Sequence, residues 1–136
     1  MIAAIPYRDF SVQTHADCMY VDHVGYCDIQ AARLRLPQIR EGLRELYQVH
    51  ERVAMIHSLL HTTDIDFPSR AKYVALALEF APRRPLWIVV VRSTAFHIIV
   101  RAAALAAGQT VAVTSTMSEA SEIARRQSYD PDPYWR

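Results

Sequence analysis

The chain has 136 residues, of which 51% are hydrophobic and 21% are charged, and this ordinary globular composition excludes a disordered, collagen-like or coiled-coil protein. Its 15 Lys and Arg residues nearly balance its 14 Asp and Glu residues, so a net charge of +1 gives no general attraction to nucleic acid. The length predicts a single domain over residues 1–136, with a core at about 8–127 and a C-terminal tail at 128–136.

The cysteine content and the length of the apolar runs indicate the cellular compartment of the protein. Two cysteines, Cys18 and Cys27, are too few for a disulfide framework or a four-thiolate metal site, which favours a reducing environment. No apolar run approaches the roughly 20 residues of a membrane span, and the short run near the N terminus is below the length of a signal peptide. We therefore expect a cytoplasmic protein without a membrane span.

The first third of the chain predicts a β-hairpin followed by a long helix. Residues 10–27 are rich in Val, Tyr, Thr and Phe around a polar break at 15–17, which is typical of two strands joined by a tight turn. Asp28 can then cap a helix by accepting a backbone hydrogen bond from its first turn. Pro37 predicts either a kink in this helix or the start of the main helix. Apolar residues recur at helical spacing to about residue 50, namely Ala32, Leu36, Ile39, Leu43 and Leu46.

Strands and helices alternate through the rest of the chain. Apolar runs predict strands at residues 53–60, 86–91 and 109–114. Helix-starting signals lie at Pro68 and Ser69, at Ser93 or Thr94, and at Thr116. Because strands separated by whole helices must pair in parallel, the order ββαβαβαβα predicts an α/β fold. Its sheet is mixed and mostly parallel, with an N-terminal β-hairpin and about four helices.

One polar cluster follows a predicted strand, at the edge where open α/β sheets usually place ligands. It comprises His57, His61, Asp64 and Asp66. On a regular strand His57 and His61 share a face about 13 Å apart, too far to bind one metal ion unless the strand bends between them. A small metal-dependent enzyme using this cluster is therefore one hypothesis. In the other, His57 is a hydrogen-bonded core or interface residue and the aspartates are loop and cap groups.

No catalytic or cofactor motif is present in the sequence. It has three glycines and no GxSxG, GxGxxG or Walker sequence, so the backbone arrangements for a serine nucleophile, a dinucleotide or a nucleoside triphosphate are missing. We therefore predict no catalytic residue, no bound metal and no cofactor.

Residues 85–126, PLWIVVVRSTAFHIIVRAAALAAGQTVAVTSTMSEASEIARR, resemble the last part of the STAS-like (SpoIIAA-like) family. The first run is similar to the family's k-v-A-v-v strand, and the Glu119-Ala120 pair is similar to the "eA" of its last helix. The resemblance implies a mixed sheet with helices packed mainly on one face. It also implies a non-catalytic regulatory or protein-interaction module that binds protein partners or a second copy of itself as a homodimer.

The resemblance implies two further sites. In anti-sigma-factor antagonists of this superfamily a serine at the start of the second helix is phosphorylated, and Ser69 is its nearest counterpart. A phosphate there would add about two negative charges beside Arg70 and alter a binding face; alternatively, Ser69 simply caps or opens the helix. A similarity to the SEC14 (CRAL-TRIO) lipid-binding fold implies a carrier or sensor of a lipid or other small apolar ligand, which needs a cavity of at least roughly 300 Å³. Its lining would include Phe96, Ile99, Val100 and Ala103.

Overall fold

A computed structural model describes residues 10–135, so residues 8 and 9 of the predicted core and residue 136 of the tail lie outside the described residues. Over this range the predicted order ββαβαβαβα is confirmed. The elements are β1 Ser11–His15, β2 Cys18–Cys27, α1 Ile29–Val49, β3 Ala54–Ile65, α2 Phe67–Phe80, β4 Leu86–Val90, α3 Thr94–Ala106, β5 Val111–Thr114 and α4 Met117–Arg126. A short 3-10 turn, Ala81–Arg83, follows α2.

The strands form one sheet in the spatial order β1-β2-β3-β4-β5. β1 pairs antiparallel with β2, and each later neighbour pairs in parallel. The predicted mixed, mostly parallel sheet with an N-terminal hairpin is therefore confirmed.

Helix α1 begins where its cap predicts. The Asp28 carboxylate accepts a hydrogen bond from the Ala31 N–H at 2.8 Å, which satisfies one of the free donors of the first turn. The helix continues through Pro37 to Val49, so the alternative in which the main helix begins at Pro37 is wrong. The proline is exposed, and its ring therefore displaces no core side chain.

Strand β3 is longer than the apolar run that predicted it. The run ends near residue 60, but the strand continues to Ile65 because β2 offers it a partner as far as Cys27. Two irregularities, each adding one residue to β3, accommodate the extension. Within it the Thr62 hydroxyl donates to the His23 carbonyl at 2.9 Å. Strand pairing thus outweighs the turn-like composition of residues 62–64.

The first three helices cover one face of the sheet. Side chains at alternate strand positions, such as Met19, Met55 and Val89, point to this face and pack against apolar residues of the helices. The opposite face is covered by α4 and by the segment after it, which pack on Tyr20 and Ile56 among others. Helices therefore lie mainly, but not entirely, on one side.

The C-terminal segment is docked rather than frayed. Trp135 is buried, its ring stacks on Tyr20 with centroids 5.6 Å apart, and its indole N–H donates to the Gln13 side chain at 3.1 Å. Tyr134, the adjacent aromatic residue, is 84% exposed. The tail therefore contributes Trp135, but not Tyr134, to the core.

Candidate functional site

A cavity of about 140 Å³ lies between α2, α3 and the helical face of the sheet. Its walls are mainly apolar and include Leu59, Leu76, Val89, Val100, Ala103 and Ala104. Alanines line the seam between the two helices, with Ala77 on α2 and Ala103 on α3. Their short side chains do not fill the space between helix and sheet, so the gap remains.

Helix α3 covers the sheet incompletely. Almost all its residues are apolar, yet none is buried. Phe96, Val100 and Ala104 pack against the buried residues of the sheet while remaining partly exposed. Large apolar residues on a helix are normally covered by protein or membrane, so the exposed Ile98 and Leu105 of this helix depart from the usual pattern.

Two histidines on adjacent strands form the polar wall of the cavity. His23 on β2 and His57 on β3 both line it, and both are buried, at 4% and 6% exposure. Nε2 of His23 lies 3.0 Å from Nδ1 of His57, and the rings are nearly parallel with centroids 5.3 Å apart. One imidazole therefore donates a hydrogen bond to the other. Nε2 of His57 is buried without a hydrogen-bond partner in the described part of the chain.

Burial keeps this pair uncharged. It lowers the pKa of His57 to about 4 and the pKa of His23 well below its usual value. The neighbouring His57 and the Arg35 guanidinium lower the pKa of His23 further, because a second positive charge would be repelled. At neutral pH both rings are therefore neutral, and each has one donor nitrogen and one acceptor nitrogen.

Two aromatic residues enclose the pair. The Tyr73 hydroxyl lies 3.4 Å from Nδ1 of His23, and the Trp87 ring packs on His57 with centroids 5.7 Å apart. Gln109 fixes the Trp87 indole, since its carbonyl accepts from the indole N–H and its amide donates to the Ala77 carbonyl, both at 2.9 Å. This side chain joins β4 to α2 at one end of the cavity.

The predicted polar cluster separates into different environments. His57 enters the cavity, whereas His61 is exposed. The cause is the first irregularity in β3, after which His61 pairs with Val24 on the face opposite to His57. Regular alternation would have kept both imidazoles on one face. The irregularity instead places them on opposite faces, so it does not bring them together around one metal ion.

The two aspartates serve helix α2. The Asp66 carboxylate accepts from the Ser69 N–H at 2.9 Å and caps the helix, while Asp64 lies 3.6 Å from the Arg70 guanidinium. Within residues 10–135 no three His, Cys, Asp or Glu side chains are grouped so that they could hold a metal ion. In this arrangement Asp66 is a helix cap and Asp64 is an ion-pair partner of Arg70.

Ser69 lies in the first turn of α2 and is completely buried. It lies beside the Cys27 thiol, whose pKa is raised mainly by burial. A phosphoryl group at Ser69 has no space in this conformation, so modification requires the first turn to open. Phosphorylation of Ser69 stays a prediction.

Three of the four residues predicted to line an apolar-ligand site lie at the cavity. Ile99, Val100 and Ala103 line it, whereas Phe96 packs on the neighbouring cluster around Val89. The volume of about 140 Å³ is roughly half the lower limit for a lipid or drug-sized ligand. It is close to the roughly 150 Å³ of an engineered cavity in another protein that binds benzene.

A second recess, of about 570 Å³, lies on the other face beside α4 and the tail. Its lining combines the polar residues Ser115, Thr116, Ser118, Ser121 and Arg125 with the apolar residues Leu60, Met117, Pro133 and Trp135. None of the four residues predicted to line an apolar-ligand site borders this recess.

His23, Tyr73 and Trp87 were missed by the sequence analysis. A weak signal existed, since His23 lies at the same alternation as the apolar Met19 and Val21, where a polar residue requires a partner. The partner follows from the parallel register that sets Val21 opposite His57. That register depends on tertiary packing and is not readable from either strand alone.

The hairpin, the parallel strands in sequential order and the division of helices between two faces together define an α/β fold of SpoIIAA-like type. No family model matches the sequence, and no curated protein matches it significantly. Solved structures do match. An uncharacterized protein of the DUF3478 family from Shewanella loihica PV-4, with a SpoIIAA-like fold, is 9% identical with a TM-score of 0.61, over 84% of this chain and 90% of that one.

Two further structures match over nearly their whole length. The anti-sigma factor antagonist SpoIIAA in its unphosphorylated form is 13% identical, with a TM-score of 0.57 over 88% of this chain and 98% of that one. A Thermotoga maritima protein proposed to be an anti-sigma factor antagonist is 17% identical, with a TM-score of 0.62 over 86% and 95%. At these identities the likeness shows the fold, and the STAS-like resemblance of the sequence is confirmed at that level. Between residues 10 and 135 no helix has the length and apolar character to cross a membrane.

Proposed function

We propose that the chain is a non-catalytic regulatory module that acts by binding a protein partner through helix α3. The SpoIIAA-like fold supports a regulatory role, because one matching structure is an anti-sigma factor antagonist. The observation that carries the proposal is the exposure of α3, whose outer side is apolar.

The outer stripe of α3 consists of Ile98, Ala102 and Leu105, which are spaced to lie on one side of the helix. Ile98 is 64% and Leu105 is 83% exposed. A contiguous exposed apolar stripe on a helix is typical of a protein interface. His97 and Arg101, joined by a hydrogen bond at 3.2 Å, supply polar groups beside it. Apolar residues with a polar border match the anatomy of docking surfaces.

A photoreactive amino acid placed at Leu105 tests this proposal in cells of the source organism. We expect a covalent adduct with one defined protein, identified by mass spectrometry, and loss of that adduct when Ile98→Asp is introduced. The control carries the photoreactive group at Leu34, an exposed apolar residue of α1. Matching adducts from both positions, or none from Leu105, would contradict the proposal. An adduct of twice the mass of the chain would identify the partner as a second copy.

Ser69 supplies a candidate regulation of this module. A phosphate requires the first turn of α2 to open, which would disturb the helix adjoining α3. We expect Ser69→Asp, but not Ser69→Ala, to weaken cross-linking from Leu105. Equal cross-linking in both variants, with no phosphorylated Ser69 peptide from cells, would remove Ser69 from the proposal.

A further inference from the structure

We infer that the cavity beneath α3 is a binding site for a small aromatic molecule that carries one hydroxyl group, of the size of phenol. This inference goes beyond the docking role of the outer stripe. It concerns the inner side of the same helix, and either can fail without the other.

The size of the cavity sets the size of the ligand. About 140 Å³ bordered mainly by aliphatic side chains, and open to solvent on one side, suits a single six-membered ring. Longer chains and lipids exceed this volume. Trp87 and His57 place flat rings in the wall, and aromatic rings pair favourably with such neighbours.

The polar wall sets the chemistry of the ligand. His57 has its Nδ1 bonded to His23, while its buried Nε2 lacks a partner within residues 10–135. Leaving such a polar atom unsatisfied is costly, so a ligand group that reaches it through a small rotation of the imidazole at the cavity wall is favoured. A hydroxyl both donates and accepts, and it therefore satisfies Nε2 in either tautomer of the pair.

The surrounding hydrogen bonds hold this wall in position before a ligand arrives. His23 is fixed by His57 on one side and lies against Tyr73 on the other. The Trp87 indole is held by Gln109. A site whose walls are already ordered loses little conformational entropy on binding.

Phenol and benzene are the two probes, because they differ only in the hydroxyl. In a purely apolar cavity phenol is disfavoured, since its hydroxyl loses water without replacement. Here we expect phenol to bind with a dissociation constant of about 1 mM or lower, about tenfold more tightly than benzene. Titrations followed by ¹H–¹⁵N NMR report this through the Trp87 indole signal. The Trp135 indole lies on the other face of the sheet and is an internal control whose signal should not move.

Three substitutions locate the site. Ala103→Leu fills the cavity and should weaken phenol binding by at least about tenfold. Ala102→Leu, the adjacent residue on the exposed side of α3, should leave binding unchanged. His57→Leu should keep the apolar space and reverse the preference, so that benzene binds more tightly than phenol.

Several outcomes would overturn the inference: an unmoved Trp87 signal, benzene binding at least as tightly as phenol to the unsubstituted protein, or equal phenol binding by the Ala103 and Ala102 variants. The first two need no substitution, so they decide the question even if His57→Leu does not fold.

Discussion

Helices α1 and α3 cover the same face of one sheet, but they cover it in different ways. α1 buries Ala32, Arg35, Leu36, Ile39, Gly42, Leu43 and Leu46, whereas α3 buries no residue. Both helices are amphipathic enough to be recognised from sequence. The difference shows that helical periodicity predicts which side faces the sheet and does not predict how closely the helix approaches it.

Gly42 lies at the close approach of α1 to the sheet. A Cβ atom there would lie 2.5 Å from the Met19 methyl group, so the helix backbone packs against this side chain of β2. The alanines of α3 are also small, but no large strand residue fills the space that they leave, and the cavity occupies it. The sheet under α1 is therefore closely packed, whereas the sheet under α3 borders a cavity.

The largest effect should come from removing side-chain volume under α1. Leu43 is completely buried, and we expect Leu43→Ala to lower the free energy of unfolding by about 2–5 kcal/mol, because the lost transfer energy and the new cavity add together. The matched Val100→Ala in α3 should cost less than about 1 kcal/mol, since Val100 is only partly buried and already borders a cavity. Urea denaturation of both variants measures the difference. Equal losses would show that the two helices are equally tightly packed.

Acid should lower the free energy of unfolding through His23 and His57, the two buried histidines that line the cavity beside α3. The folded-state pKa of His57 is about 4 and that of His23 is also lowered, so the unfolded chain takes up protons first as pH falls below about 6.5. The stability is complete above that pH and is lost progressively toward pH 4. At pH 5 His57 should account for a loss of about 2 kcal/mol, and His23 adds a loss in the same direction.

The comparison of His57→Gln with His61→Gln isolates this effect. The first variant removes a buried imidazole and should flatten the decline in unfolding free energy between pH 7 and pH 5. The second removes an exposed imidazole and should retain the decline. Because carboxylates titrate in both variants, only the difference between them reports the buried pair. Parallel curves would mean that His57 is not held neutral by burial.

Pro37 limits the stability of the otherwise well-packed α1. It lies inside the helix, where proline removes one backbone hydrogen bond and crowds the preceding turn. Since Pro37 is exposed, Pro37→Ala should raise the free energy of unfolding by about 1–2 kcal/mol, after allowance for the greater freedom of the unfolded chain. Thermal denaturation measures the gain. A decrease would show that the proline sets the direction of the helix.

The smallest effect should come from the outer stripe of α3. Ile98→Ser and Leu105→Ser alter exposed side chains, so each should change the free energy of unfolding by less than about 0.5 kcal/mol. Cross-linking from the photoreactive group at Leu105 should nevertheless fall when Ile98→Ser is introduced. A large loss of stability would instead mean that the stripe supports the fold.

The fold was predictable where the signal is local. Asp28 and Thr116 both accept the backbone hydrogen bonds expected of helix caps, because capping involves residues close in sequence. The end of β3 was not predictable, since it depends on pairing with β2. The same reasoning applies to the candidate site, where His57 was singled out but its partner His23 lies 34 residues away.

The contact between Trp135 and Gln13 joins groups 122 residues apart. The side chain that covers the hairpin is thus synthesised long after the hairpin itself. During translation the edge of the sheet must wait for residue 135 to leave the ribosome, while the α1 region can pack earlier. The β1 edge is therefore completed only after the helices between it and residue 135 have been made.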